Sequence, residues 1–143
     1  MKISTRGRYA LRLMVDLSLQ NKEHYVPLKD ISARQEISVK YLEQIASLLS
    51  KYGLLSSIRG QQGGYKLIKP PEEYIIGDIL KITEGPLAPV ACLDNPSLPC
   101  KREKICKTLP FWKGLYQVIE EYINKYTLAD LAKETLASNY SEQ

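Results

Sequence analysis

The chain has one histidine, His24, and nowhere groups a nucleophile with a base or shows a glycine-rich phosphate cradle. An enzyme is therefore the weakest reading of this sequence. No charge-free apolar run approaches the length of a membrane span, and Arg6, Arg8 and Arg12 interrupt the apolar residues near the N-terminus. A secretory leader is accordingly not expected, and a cytoplasmic location is. Cysteine is scarce and odd in number, with three residues. Without an export signal this argues against a disulfide framework and for thiolate ligands or a reactive thiol. Internal repeats and low-complexity tracts are missing as well.

The 143 residues suit one domain, or a small reader fused to an accessory element, and can bury a real core without staples. The net charge of +4 hides an asymmetry. Residues 1–70 hold 12 Lys/Arg against 5 Asp/Glu, a balance of +7, whereas residues 71–143 hold 8 against 11, a balance of −3. A basic first half suits a polyanion-binding module. The plain alternative is a chance imbalance of solvated faces.

The stretch Ser38 to Ile68 is the most informative. Ser38 suits a helix cap, followed by Val39, Leu42, Ile45, Ala46 and Leu49 at helical spacing and by Gly53 as a stop. Leu55–Ile58 and Tyr65–Ile68 then read as two strands around Arg59-Gly60-Gln61-Gln62-Gly63-Gly64. A helix followed by a glycine-tipped basic hairpin is the sequence form of a winged helix-turn-helix. On that helix Lys40, Glu43, Gln44, Ser47 and Lys51 share one polar face. Glutamine can pair with adenine and lysine can reach guanine in a major groove, while Glu43 would tolerate only a cytosine amine. Arg59, beside three glycines, suits a narrow minor groove, and Lys2, Arg6, Arg8 and Lys66 would contact the backbone. Taken alone, the helix could equally be the wet side of a surface helix; the adjoining hairpin tips the balance towards duplex DNA.

A first helix is expected from about Thr5 to Gln20, with Tyr9, Leu13, Met14 and Leu17 buried and Arg8, Arg12 and Asp16 on the opposite face. Pro27 opens a short helix bearing Leu28 and Ile31, and Glu36-Ile37 makes the turn. Pro70-Pro71 ends the wing, Ile75–Glu84 reads as a helix stopped by Gly85-Pro86, and 85–110 is a proline-rich loop. Phe111–Tyr126 is helical, with Trp112, Leu115, Ile119, Tyr122, Ile123 and Tyr126 on a broad stripe suited to packing on a second copy or on its own reader domain. Thr127 with Asp130 starts another helix. The expected fold is mainly α with a small β-hairpin: a winged helix-turn-helix plus a long dimerisation helix. The expected division is 1–70 for DNA binding, 71–110 for a linker helix and sensor loop, 111–136 for dimerisation and the C-terminal helix, and 137–143 for a flexible tail.

Cys92, Cys100 and Cys106 lie within fifteen residues of that loop, with gaps of seven and five. Soft thiolates select iron–sulfur clusters, zinc or copper(I), and neither gap is that of a zinc knuckle. Lys101, Arg102, Lys104 and Lys107 would favour thiolates and offset a cluster's negative charge. A regulatory disulfide or inert thiols are the alternatives.

Met1 through Ala10, Tyr41-Leu42-Glu43-Gln44, Ser57-Ile58-Arg59-Gly60, Gly63-Gly64-Tyr65, Gly77-Asp78-Ile79 and Glu84-Gly85-Pro86 together resemble the Rrf-type winged-helix repressors over about residues 1–130. The resemblance implies a homodimer on palindromic double-stranded DNA, with Glu43, Gln44 and Arg59 at the operator. Lys40 stands where the IscR-like branch often has serine. With the local reading, the candidate DNA-contacting set is Lys2, Arg6, Arg8, Lys40, Tyr41, Glu43, Gln44, Arg59 and Gly60. The three loop cysteines place the chain in the cysteine-containing IscR-like branch and imply an iron–sulfur cluster, two-iron in preference to four-iron, on Cys92, Cys100 and Cys106. Leu109 and Arg8 stand where branches of the family supply a histidine or an aspartate as the fourth ligand. Glu103, Asp94, a partner-subunit group and a small exogenous ligand remain candidates. The expected function is a repressor sensing cluster status. The alternatives are a repressor answering thiol oxidation or cysteine supply, and a metal-binding interaction protein with an incidental basic face.

Overall fold

A computed structural model describes residues 1–133. Helix α1 (Thr5–Ser18) begins where the Ser4 hydroxyl accepts a hydrogen bond from the Gly7 amide at 3.2 Å. Ala10, Leu13, Met14 and Leu17 recur at helical spacing and are buried, so α1 becomes the spine against which the second, third, fourth and sixth helices pack. The expected solvent face of α1 is divided: Arg8 and Arg12 are exposed, but Asp16 is only 3% exposed. Its carboxylate accepts from Arg34 Nε and Nη2 at 3.0 and 2.8 Å and from Gln35 Nε2 at 2.9 Å. A buried carboxylate persists only when so paired, and the C-terminus of α2 (Leu28–Gln35) supplies both partners.

Glu36 takes the left-handed conformation (φ 57°, ψ 42°) and turns the chain from α2 into α3 (Val39–Lys51). Ser38 caps α3 by accepting from the Tyr41 amide at 3.2 Å. Leu42, Ile45, Ala46 and Leu49 face inward with no exposed surface. The hairpin follows as β1 (Leu55–Ile58) and β2 (Gly64–Leu67), antiparallel, with Leu55 opposite Leu67 and Ile58 opposite Gly64. Val26 extends this sheet, exchanging backbone hydrogen bonds of 2.8 and 3.0 Å with Tyr65. At Gly64 a Cβ would strike the Val26 carbonyl, and φ there is +157°, so only glycine lets the wing lie so close to the segment leading into α2. Tyr74, 1% exposed, ties the end of the wing to the turn that joins α3 to β1: its hydroxyl donates to the Leu54 carbonyl at 2.7 Å and accepts from the Ile68 amide at 3.0 Å.

Helix α4 (Ile76–Glu84) packs on α1, and Gly7 makes the contact possible because a Cβ there would meet the Glu84 carboxylate. Helix α5 (Leu109–Lys125) starts two residues before the periodicity suggested, with Leu109 buried and Pro110 in its first turn. The inner side of α5 sets Ile119 and Ile123 against the core, and Lys81 of α4 pairs with Glu120 at 2.7 Å. Its outer side exposes Phe111, Leu115, Val118 and Tyr122. The single apolar stripe foreseen is thus two faces. Helix α6 (Leu128–Ala132) begins with the foreseen capping box between Thr127 and Asp130 and packs on α1. Backbone bonds from Ile76 to Tyr126 (3.0 Å) and from Leu128 to Tyr74 (2.9 Å) stitch it to α4. Among the described residues no helix is long and apolar enough to cross a membrane. The tail expected at 137–143, and the end of the 111–136 segment beyond residue 133, lie outside the described residues.

Candidate nucleic-acid interface and cysteine loop

The outer face of α3 and the wing border one open groove of about 570 Å³, in which Val39, Glu43, Ser47 and Ser50 face Ser57, Ile58, Arg59 and Gly60. Two features of the sequence cause this. The apolar stripe of α3 commits its other side to solvent, and the short turn through Gly53 (φ 77°) returns the chain at once as β1. The wing therefore cannot point away from the helix it follows. Glu43, Arg59 and Gly60 line the groove itself. Lys40, Gln44 and Lys51 are exposed on α3, and Lys2, Arg6 and Arg8 are exposed around the start of α1. Tyr41 is half-buried, its ring edge-on to Tyr9 with centroids 5.6 Å apart.

Lys29, Ser50 and Ser57 also line the groove and were missed by sequence reasoning. Ser50 follows Glu43 and Ser47 at helical spacing and Ser57 is on β1, whereas Lys29 carries no signal in its spacing, because it is the backbone pairing of Val26 with Tyr65 that brings the start of α2 beside the wing.

The cysteines occupy the opposite part of the chain, in the segment between α4 and α5. All three are free; Cys92 and Cys106 are half-exposed and Cys100 is exposed. Cys92 and Cys100 line one cavity of about 310 Å³, and Cys106 lines a neighbouring one of about 590 Å³. The two share Glu103, Leu109 and Lys113 as walls. The Thr108 hydroxyl lies 3.3 Å from Cys106 Sγ and holds that thiol below the ordinary cysteine value, with Arg102 assisting. Among the described residues no three His, Cys, Asp or Glu side chains are gathered closely enough to hold one metal ion. The three thiols are soft donors open to solvent on adjoining cavities, with Lys101, Arg102, Lys104 and Lys107 exposed around them, but they do not converge on one centre. His24 is exposed in the connection between α1 and α2 and lines neither cavity.

A capped reader helix, a left-handed turn before it and a basic glycine-tipped wing beside it define a winged helix-turn-helix transcription regulator. The sequence matches the Rrf2 family profile, described as an iron-dependent transcriptional regulator, over residues 3–134. The chain belongs to the Rrf2 family. It is 40% identical over 135 residues to the HTH-type transcriptional regulator CymR of Bacillus subtilis, covering 94% of this chain and 92% of that one. The solved structure of that protein, titled the global cysteine regulator, matches with a TM-score of 0.75 over 94% of this chain and 98% of the other, at 38% identity. The regulator IscR of Vibrio campbellii is 35% identical over 143 residues, covering 100% of this chain and 84% of its own length. The structure of IscR from T. potens matches with a TM-score of 0.74 and 37% identity, over 94% of this chain and 88% of that one.

Proposed function

We propose that this chain is a homodimeric, cytoplasmic repressor that binds palindromic duplex DNA and adjusts its affinity to iron–sulfur status. In this reading residues 1–70 bind the operator, 71–110 carry the sensor loop and 111–136 dimerise. The observation that carries it is the shared groove, with Glu43 and Ser47 on one wall and Arg59 and Gly60 on the other. Helix α3 would enter the major groove, presenting Lys40, Tyr41, Glu43 and Gln44. Arg59 and Gly60 would approach the adjacent minor groove, and Lys2, Arg6 and Arg8 the phosphates.

The outer face of α5 supports a dimer. Phe111, Leu115, Val118 and Tyr122 follow one another at i, i+4, i+7 and i+11, with exposures of 67, 38, 61 and 47%. So large an apolar patch on a surface helix marks an interface, and a two-fold partner presents the same stripe. Two reader helices so related match inverted half-sites.

Cys92, Cys100 and Cys106 would hold the cluster, whose contribution is a redox-sensitive, thiolate-ligated centre that is lost when iron or sulfide is short. The chain's own residues would orient it and balance its charge. A second reading, a thiol-based regulator without a cluster, is favoured by the lowered Cys106 thiol and by the likeness to CymR.

Selection from a random duplex pool would yield the operator. Gln44→Ala and Arg59→Ala are each expected to weaken that operator by about 1–3 kcal/mol, with the wild-type affinity falling steeply as salt rises. Affinity that is indifferent to Gln44→Ala refutes the outer face of α3 as a reader, and affinity indifferent to Arg59→Ala refutes the groove. Equal affinity of cluster-loaded and cluster-free protein refutes iron–sulfur sensing.

A further inference from the structure

The wall that α3 gives to the groove is polar except at its start. Glu43, Ser47 and Ser50 line it, and Val39 stands in the same row, four residues before Glu43 and eight before Ser47. We propose that Val39 reads the C5-methyl group of a thymine in each half-site and so sets part of the operator sequence. This rests on the groove reading above and names what one of its residues recognises.

Val39 has the spacing of the apolar stripe of α3 but not its burial. Leu42, Ile45, Ala46 and Leu49 have no exposed surface, whereas Val39 is 38% exposed. The helix start is secured without it. Ser38 Oγ accepts from the Tyr41 amide at 3.2 Å, and the apolar residues on either side of the cap, Ile37 and Leu42, are 3 and 0% exposed. Those two fill the positions whose contact fixes how a chain enters a helix. The methyl groups of Val39 are thus left over the groove.

A major groove shows hydrogen-bonding groups at every base edge, and the C5-methyl of thymine is its apolar feature. A reader helix contacts base edges with its N-terminal residues, and Val39 is the first residue of α3. Its branched Cβ holds one rotamer, so little side-chain freedom is lost on contact. Ile58, 50% exposed, is apolar on the facing wall. It adjoins Arg59 on the wing, which the same reading sends to the minor groove, where no base shows a methyl group. Four helical residues separate Val39 from Glu43, roughly 6 Å along the axis. That is about two base-pair steps, so the thymine lies within about two base pairs of the base that Glu43 meets.

The test replaces each thymine of the selected operator in turn, in both half-sites, by uracil, which keeps every hydrogen-bonding group and lacks only the methyl. Wild type and Val39→Ala are titrated on each duplex. Gln44→Ala and Arg59→Ala serve as controls for the groove, and far-ultraviolet circular dichroism checks folding. One buried methyl is worth about fourfold in affinity, hence about fifteenfold over two half-sites. Wild type is expected to lose about that factor at one thymine per half-site. Val39→Ala is expected to bind the thymine operator at least as much more weakly, and to bind thymine and uracil duplexes equally at that position. Wild type indifferent to uracil at every position overturns the proposal, as does Val39→Ala discriminating as wild type does. In either case the groove reading stands so long as Gln44→Ala and Arg59→Ala weaken binding. Should neither control weaken it, groove and Val39 assignment fall together.

Discussion

Tyr74→Phe isolates one hydroxyl at the joint between reader and wing. The ring stays buried and keeps its volume, so packing is conserved and only polar contacts change. Two are lost: the donation to the Leu54 carbonyl at 2.7 Å and the acceptance from the Ile68 amide at 3.0 Å. Leu54 is half-buried whereas Ile68 is more open, so water replaces the second bond more readily than the first. A net hydrogen bond is worth about 1 kcal/mol and an orphaned buried carbonyl costs somewhat more, which places the loss at about 2 kcal/mol. In a chain of this size that is a fall in Tm of roughly 6–10 °C. Urea unfolding followed by fluorescence measures it, and hydrogen exchange should show the Ile68 amide among the groups most accelerated.

The pH dependence gives an independent check. Burial raises the Tyr74 pKa above the ordinary tyrosine value, outweighing the hydrogen bonds from the backbone that oppose it. A group raised on folding contributes stability that is complete below the unfolded-state pKa and is lost as pH climbs through the folded value. Phenylalanine has no such contribution to lose. The gap between wild type and Tyr74→Phe should therefore be constant through neutral pH and narrow from about pH 10 upward. A neutral-pH gap below about 0.5 kcal/mol, or one that widens in alkali, refutes this reasoning.

Asp16→Ala removes a buried carboxylate and strands its partners; breaking such a pair costs about 3–5 kcal/mol when both ions are buried, and Arg34 at 41% exposure can rehydrate, leaving about 2 kcal/mol. Thermal unfolding reads this, and a loss of less than about 0.5 kcal/mol would mean the network is idle. Val118→Asp places a charge in the exposed stripe of α5 and, if that stripe is the proposed dimer seam, is expected to give a monomer by light scattering while the far-ultraviolet spectrum is kept; a mass equal to that of a dimeric wild type places the interface elsewhere. Glu84→Gln weakens the charge-assisted contact with Ser4 and should reduce the ratio of operator affinities between cluster-loaded and cluster-free protein, measured by titration on one operator; an unchanged ratio shows that this contact carries no coupling.

Much of the reader was legible because its signals are local. Ser38, Gly53, the alternation of α3 and the glycines of the wing each act within a few residues, and Thr127 with Asp130 announced its capping box in the same way. What stayed hidden depends on contacts distant in sequence. Asp16 reads as a surface residue until α2 folds over it, eighteen residues away from Arg34. The second face of α5 appears only when Lys81 and the core of α4 claim the first. The groove-lining role of Lys29 exists only because Val26 pairs with Tyr65. The cysteine loop was located by its prolines, yet the side-by-side cavities that share Glu103 could not be read from gaps of seven and five residues.

A loop that reports to a reader must act through something that differs in free energy between its two states. Here the loop's two ends are held by different means. At its start Glu84 accepts from the Ser4 amide at 3.1 Å and from the Ser4 hydroxyl, so the last residue of α4 grips the residue that caps α1. Gly7, whose Cβ would collide with the same carboxylate, shows how closely the two helices meet there. Lys2, Arg6 and Arg8 flank this point, within a turn of the capping serine. At the loop's far end Leu109 is buried at the start of α5, and α5 is braced to α4 through Lys81 and Glu120. A tightening of the 85–110 segment thus pulls on two anchored helices, one bearing the apolar stripe that would set the spacing of two readers and the other gripping the basic start of α1. Spacing and phosphate contact are the two quantities on which affinity for a two-half-site operator depends most steeply, and neither requires the groove between α3 and the wing to change shape.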